Sequence, residues 1–567
     1  MKLLCVLSVL YGLTLPALAL EREAFTFTKY DLDVRVEPEQ QRLGARGKIW
    51  VRNDSAAPQK NVALQISSTL AWRSIKIAGS PVQFTSHEYT SDIDHTGALS
   101  EAIVTLSRDV LPGATLEIEV GYEGTVPMDA TRLTRIGVPE EKAKHSDWDQ
   151  ISKSFTAVRG IGYVTWYPVA TEAANLSEGE SVSETVGRWK TRQTDSAMEV
   201  RFESSLAQEI LFSGTAVPSE TTAEPKSANA AFRVSSLGLG VPTFVAGDYQ
   251  KFAPKNAPSV YYLPGQAEVA KTYAEAVPDI DPEIPAVDGS TEELKVLGLP
   301  DPDAASFVTG GMLLCPLKLP MTNEAMLGLV YAKARSMVSS PRAWIQEGLA
   351  HYAQVAFIET EAGRQAALDY LSAHATVLVK DQEQVAAAKD LPSNWQAAHS
   401  LINAPDGLYL QTKAMYVWWM LKDMLGKLPT DALRNYKVSE DKDAAYLQRR
   451  IEKYSHRDLE WFFDDWVYRD RGLPDFRVDS VYPREIVSGG YMVTVTVENL
   501  GEAGAEVPVT LRIPSGDITR KLEVRGKSKA SLRVETPSLP QEVVVNDGSV
   551  PESDVSNNTF RIESLNH

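Results

Sequence analysis

The chain has 567 residues, 43% of them hydrophobic and 23% charged, with only 35 Gly and 32 Pro, which excludes a disordered or collagen-like polymer and leaves enough apolar material for several packed domains. Its formal charge of −18 carries no basic footprint, so a nucleic-acid partner is not expected. Met1-Lys2 is followed by an apolar run from Leu3 to Leu18, broken by Tyr11, Gly12 and Pro16 and ending in Ala17-Leu18-Ala19 before Glu21-Arg22-Glu23. Residues 1–19 read as a secretory signal peptide, so an exported protein, periplasmic or extracellular, is expected. No later segment is apolar enough to span a bilayer. Cys5 falls in the leader, which leaves Cys315 alone and unable to form an internal disulfide. With Leu314 and Pro316 beside it and no basic neighbour, Cys315 is expected to be a buried, inert thiol.

From residue 20 to about 253 apolar and polar residues alternate, as in Tyr30, Leu32, Val34 and Val36 around Asp31, Asp33 and Arg35, with Gly, Pro, Asn and Ser between the runs. This period of two predicts an N-terminal antiparallel β domain. From 254 to 474 the period becomes helical, with apolar stripes over 322–337, 343–358, 363–379, 412–425 and 458–467, so a mainly α domain is expected. The acidic stretch 278–289 reads as an exposed loop. After Gly472-Leu473-Pro474 alternation returns in 491–497, 507–513, 530–534 and 542–545, and the block 475–567 suits an independent immunoglobulin-like β-sandwich. The whole is a multidomain α+β chain. Trp418, Trp419, Trp461, Phe462, Phe463 and Trp466 recur at helical spacing, and most of them are expected to be core.

The stretch with most chemistry is Pro341 to Gln354, where Trp344, the pair Glu347-Gly348 and Tyr352 align on one helix. It resembles the Trp-Leu-x-Glu-Gly-Phe-Ala-x-Tyr segment of the zinc aminopeptidases typified by aminopeptidase N, a gluzincin family. Other parts follow in that family's order. Val241 to Tyr249 is similar to the last strand of its β domain, and Gly310, Gly311 and Met312 to the opening of its substrate-binding strand. Lys413 to Leu421 is similar to the helix after its catalytic Tyr, and Asp458 to Trp466 with Gly472-Leu473-Pro474 to its closing helix. The resemblance implies a thermolysin-like fold for 254–474, with Glu347 in the place of the third zinc ligand and Gly310, Gly311 and Met312 in the substrate-binding place.

The resemblance stops at the chemistry. The family's other two ligands and its general base lie in a His-Glu-x-x-His helix, and its spacing puts those roles on Glu324, Ala325 and Gly328. No His occurs between His145 and His351. With a shorter connector the paired i,i+4 positions become Tyr331 and Arg335, and a guanidinium cannot ligate zinc. The family's amine-anchoring Glu falls on Leu313, and its catalytic Tyr on Gln411, with Tyr409 nearby as the substitute candidate. Glu347 and His351 share one helical face and are a candidate pair of metal contacts, one short of a catalytic zinc set. His374, His399 and His456 are scattered, and no spacing joins them. A carboxylate at Glu347 without metal calls for another counter-charge, for which Arg335 and then Lys333 are candidates. The expected function is a non-catalytic peptide- or protein-binding pseudopeptidase with no cofactor; the alternative is an active metallopeptidase with zinc at a non-standard site. Oligomeric state is not legible.

Overall fold

The protein was analysed as a computed structural model, which describes residues 20–567 apart from 180, 218–227, 256, 278–283, 288–292, 389–395, 397–398, 404–406, 488 and 563–567. The expected signal peptide lies outside the described residues, as does most of the loop expected at 278–289.

The β region is built on the strand Phe25–Glu37, whose apolar residues Leu32, Val34 and Val36 face inward while Asp33 and Arg35 do not. It pairs antiparallel with Arg42–Asn53 on one side, yet parallel with Ala197–Ser204 on the other, within an eight-stranded sheet. The expectation of a purely antiparallel domain is corrected here. A parallel neighbour needs a long crossover, and the chain between Glu37 and Ala197 supplies one by way of two further three-stranded sheets. Trp166, Tyr167, Phe202, Phe212 and Phe244 fill the centre of this core with tilted and edge-to-face ring contacts.

The helical region opens on a mixed five-stranded sheet containing Gln250–Phe252, Ser259–Tyr262, Lys295–Leu299, Met312–Pro316 and Phe307–Thr309. Its short apolar strands carry too little periodicity to be told from helix in the sequence. Cys315 lies buried in this sheet, and burial pushes its thiol up to about 12, so it is an unreactive core residue. The helices Asn323–Met337, Ala343–Ala362, Arg364–Ala387 and Leu408–Leu425 follow. The first starts where the Thr322 hydroxyl accepts the Ala325 N–H, and the last ends on Gly426 in the left-handed conformation. No helix among the described residues is long and apolar enough to cross a membrane.

Beyond Pro474, a three-stranded and a four-stranded sheet pack with Val493, Val495 and Val497 facing Val507, Val509, Leu511, Val543 and Val545. This hydrophobic core continues without a break into the helices. The Trp466 indole donates to the Gly504 carbonyl, and Asp465 accepts the Gly504 N–H. Trp418, Trp419, Phe462, Phe463 and Trp466 are all fully buried, while Trp461 is half-buried against the same core. Asp464 holds Arg469 and Arg471.

One buried acid gives this last region a pH dependence. Glu552 is buried, which raises its carboxyl to about 7 despite the amides of Asn558 and Asn546 and the Phe476 N–H that bond it. Because the folded value lies above the ordinary one, stability is full at pH below about 4.5 and declines as pH rises through 7. The decline is on the order of 3 kcal/mol. Urea midpoints measured from pH 5 to 8.5 should fall with pH in the native chain and stay level in Glu552→Gln; parallel curves would contradict this.

Candidate functional site

The Ala343–Ala362 helix positions Glu347. It packs so closely on the Leu408–Leu425 helix that a Cβ at Gly348 would lie 2.7 Å from the Trp418 ring and 2.8 Å from the Ala414 methyl. Glycine after Glu347 is therefore a packing requirement, and Trp344 stacks on Trp418 with ring centroids 5.5 Å apart. The two helices leave the start of the Ala343–Ala362 helix and Glu347 facing a cavity of about 770 Å³. Its opposite wall comes from the β region through Lys190, Thr194 and Ser236, and Leu401, Ile402 and Ser439 close the side. A cleft between two regions of the fold with this volume is of ligand-binding size.

Within the cleft wall the Glu347 carboxylate is 3% exposed and bound on both oxygens. The Tyr331 hydroxyl donates to Oε2 at 2.6 Å, and Arg335 Nη1 lies 3.2 Å from Oε1. Tyr331 and Arg335 are four residues apart on the Asn323–Met337 helix, so both face the same neighbour. Arg335 is itself buried, and its Nη2 donates to the Leu239 carbonyl of the β region at 3.1 Å. Arg335 thus ties the helical region to the β region through the same side chain that neutralises Glu347. Lys333 makes no ion pair with Glu347 among the described contacts.

The zinc that the family resemblance implies does not fit these residues. The two helical positions that address Glu347 carry a phenol and a guanidinium, and the guanidinium has no lone pair to offer a metal. The spacing taken from the family is corrected as well. Glu324, Ala325 and Gly328 line a different cavity, beside Leu313, and it is the shorter connector, with Tyr331 and Arg335, that addresses Glu347.

Gly310 is near the cleft but in a constricted part of it. With Arg335 and Gln346 it lines a cavity of only about 90 Å³, and a Cβ there would lie 2.6 Å from the Ser213 carbonyl oxygen. Its neighbour Thr309 exchanges hydrogen bonds with Val241, which docks this strand end on the β region. Gly311 continues the turn, and Met312 is buried in the sheet core. His351 turns its Nδ1 to the Gln354 amide at 3.0 Å, and its ring packs on Tyr331 at 4.9 Å.

Tyr409 is placed elsewhere. It lines a separate cavity of about 600 Å³ between the Arg364–Ala387 helix and the C-terminal sheets. Its hydroxyl donates to Asp470 Oδ2 at 2.7 Å and accepts from Lys413 Nζ at 3.0 Å. Burial and the Asp470 charge push that hydroxyl well above its ordinary range, which suits a structural donor and not an acid catalyst. Asp470 also accepts Lys413 Nζ at 2.7 Å, the Gly472 N–H at 3.0 Å and His399 Nδ1 at 3.0 Å. Burial alone would raise the Asp470 carboxyl, but the Lys413 charge and the hydrogen bonds from His399, Lys413 and Tyr409 outweigh it and hold the carboxyl far below the usual carboxylate range. Asp381 Oδ1 lies 3.9 Å from the other ring nitrogen of His399. Nothing in the sequence could have joined Asp381, His399, Lys413 and Asp470, which come from separate elements and follow no motif.

No known family profile and no curated protein matches the chain. Among solved structures the fold is similar to aminopeptidase A of Legionella pneumophila, a structure in complex with aspartic acid, with a TM-score of 0.56 and 12% identity. The match covers 93% of this chain and 59% of that protein, so this chain spans well under two thirds of the neighbour's length. At that identity the likeness is one of fold, and it assigns to this chain a multidomain α+β architecture like that of this neighbour.

Proposed function

We propose that this is an exported aminopeptidase-like protein whose central cleft binds a peptide or protein segment without hydrolysing it. The observation that supports this reading is the occupation of Glu347 by Arg335 and Tyr331. A metallopeptidase needs an open coordination position for water, and a neutralised carboxylate beside a guanidinium offers none. The groups that would select a free amine and stabilise a tetrahedral intermediate are also changed. Leu313 is packed in the core, and Tyr409 is engaged with Asp470. What remains is a cleft of about 770 Å³ lined by hydroxyls, by charges of both signs from Lys190, Arg342, Lys442, Asp195 and Asp441, and by a helix start, which suits an extended polar chain.

The test is an incubation of the purified chain with a mixture of peptides carrying free N-termini, read by mass spectrometry and by equilibrium dialysis. Peptides should be retained uncleaved, with or without a chelator, and Ser439→Trp, which puts an indole into the cleft mouth, should reduce retention. Release of N-terminal amino acids that stops with chelator and in Glu347→Ala would overturn the reading in favour of an active metallopeptidase.

A further inference from the structure

Arg342 lines the central cleft just ahead of the Ala343–Ala362 helix, and its side chain and main chain are both fixed. Its Nε donates to Asp441 Oδ2 at 2.7 Å and its Nη2 to Oδ1 of the same carboxylate, a side-on pair that sets the plane of the guanidinium. The Tyr436 hydroxyl donates to Asp441 Oδ2 as well, so the buried carboxylate is itself held. The Arg342 N–H donates to Ser340 Oγ, which lies 3.1 Å from the same Tyr436 hydroxyl. A side chain held in this way has lost its rotamer freedom before a ligand arrives.

A guanidinium has five N–H donors, and the pair with Asp441 spends two of them. The other three, two on Nη1 and one on Nη2, have no acceptor among the described residues. The Arg342 side chain is only 18% exposed, and the space it lines is the cleft, so an acceptor entering the cleft is what these donors lack. The surrounding charge decides which kind of acceptor. Of the three acids that line the cleft, Glu347 is neutralised by Arg335 and Asp441 by Arg342, and Asp195 stands with Thr194 on the opposite wall. Lys442, next to Asp441 in the chain, is exposed, lines the cleft and forms no ion pair among the described residues. Leu313, at the position where the family resemblance puts an amine-anchoring acid, is packed in the core.

We propose that the cleft anchors its ligand by a carboxylate, received by the open donors of Arg342 with Lys442 supplying the charge, and not by a free amine. The carboxylate is a peptide's C-terminus or an acidic side chain. This anchor rests on the peptide-binding reading of the cleft and adds to it which end or residue of the ligand is held.

The experiment uses the full-length chain in equilibrium dialysis against random hexapeptide libraries. The first library lacks Asp and Glu and is made with a free C-terminal carboxylate or as the C-terminal amide, each with a free or an acetylated N-terminus. The second contains Asp and Glu and is made only as the amide. The carboxylate form of the first library should be retained about 10-fold better than its amide or more, the scale of a hydrogen bond to a charged group, and acetylation should change nothing. Arg342→Lys, which keeps a cation beside Asp441, should remove most of that preference. Lys442→Gln should reduce it too, and as an exposed change it keeps the test open if Arg342→Lys fails to fold. Retention of the second library with the same loss in these variants would assign the carboxylate to an acidic side chain on the same anchor. Equal retention of carboxylate and amide forms, with no gain from Asp and Glu, would overturn the anchor. So would a loss on acetylation, or a preference that survives both variants; if Ser439→Trp still lowered retention in those cases, peptide binding in the cleft would stand without the anchor. Retention of no library would overturn both.

Discussion

Arg335→Ala should destabilise the folded chain by about 3–5 kcal/mol, the usual loss when one partner of a buried ion pair is removed. The magnitude follows from burial. Arg335 and Glu347 side chains are 6% and 4% exposed, so without the guanidinium the carboxylate keeps only the Tyr331 hydroxyl and no compensating charge. The double change Arg335→Leu with Glu347→Leu should recover much of the loss, since two apolar side chains leave no orphan charge. Recovery should be incomplete by roughly 1 kcal/mol, because the Leu239 carbonyl also loses its donor. Equilibrium urea unfolding of the wild type, both single Leu variants and the double variant gives the coupling directly. A coupling near zero would mean that Glu347 is neutralised by something other than Arg335.

The second large effect belongs to a further buried pair. Lys413 and Asp470 side chains are 1% and 5% exposed at 2.7 Å, and Lys413→Met should likewise cost about 3–5 kcal/mol. It also carries a pH signature with a definite sign. The folded Asp470 carboxyl is held far below its ordinary value, so the stability it provides is fully present above about pH 4 and is lost as pH falls further. In Lys413→Met the leading favourable charge is gone, and the acid-side loss of stability should be smaller than in the wild type. Urea midpoints between pH 3 and 7 check both statements. If the variant and the wild type lost stability in parallel below pH 4, Asp470 would not be the group responsible.

The parts of this fold that were legible in the sequence are those with long, regular periodicity. The 322–337 stripe became the Asn323–Met337 helix with its Thr322 cap, and the alternation around Tyr30 became the central strand of the large sheet. The parallel pairing of that strand with Ala197–Ser204 was not legible, because alternation fixes which face a residue takes and not which strand lies beside it. The small sheet before the helices was hidden by the shortness of its strands. In the cleft, the charge argument at Glu347 pointed to Arg335 because a buried carboxylate demands a partner, and four-residue spacing on one helix is local information. Tyr331 needed the structure, as a phenol is as ordinary in a core as in a site. The Asp381, His399 and Asp470 cluster was beyond sequence altogether: its members meet only because three separate elements fold together.

Whether Glu347 still belongs to a metal site is answered most directly by metal content. The wild-type chain and Glu347→Gln, each exchanged against excess Zn²⁺ and desalted, are to be compared for bound zinc by elemental analysis. No stoichiometric zinc is expected in either chain, since Arg335 holds the place a cation would take beside Glu347. One zinc per chain in the wild type that disappears with Glu347→Gln would contradict this reading.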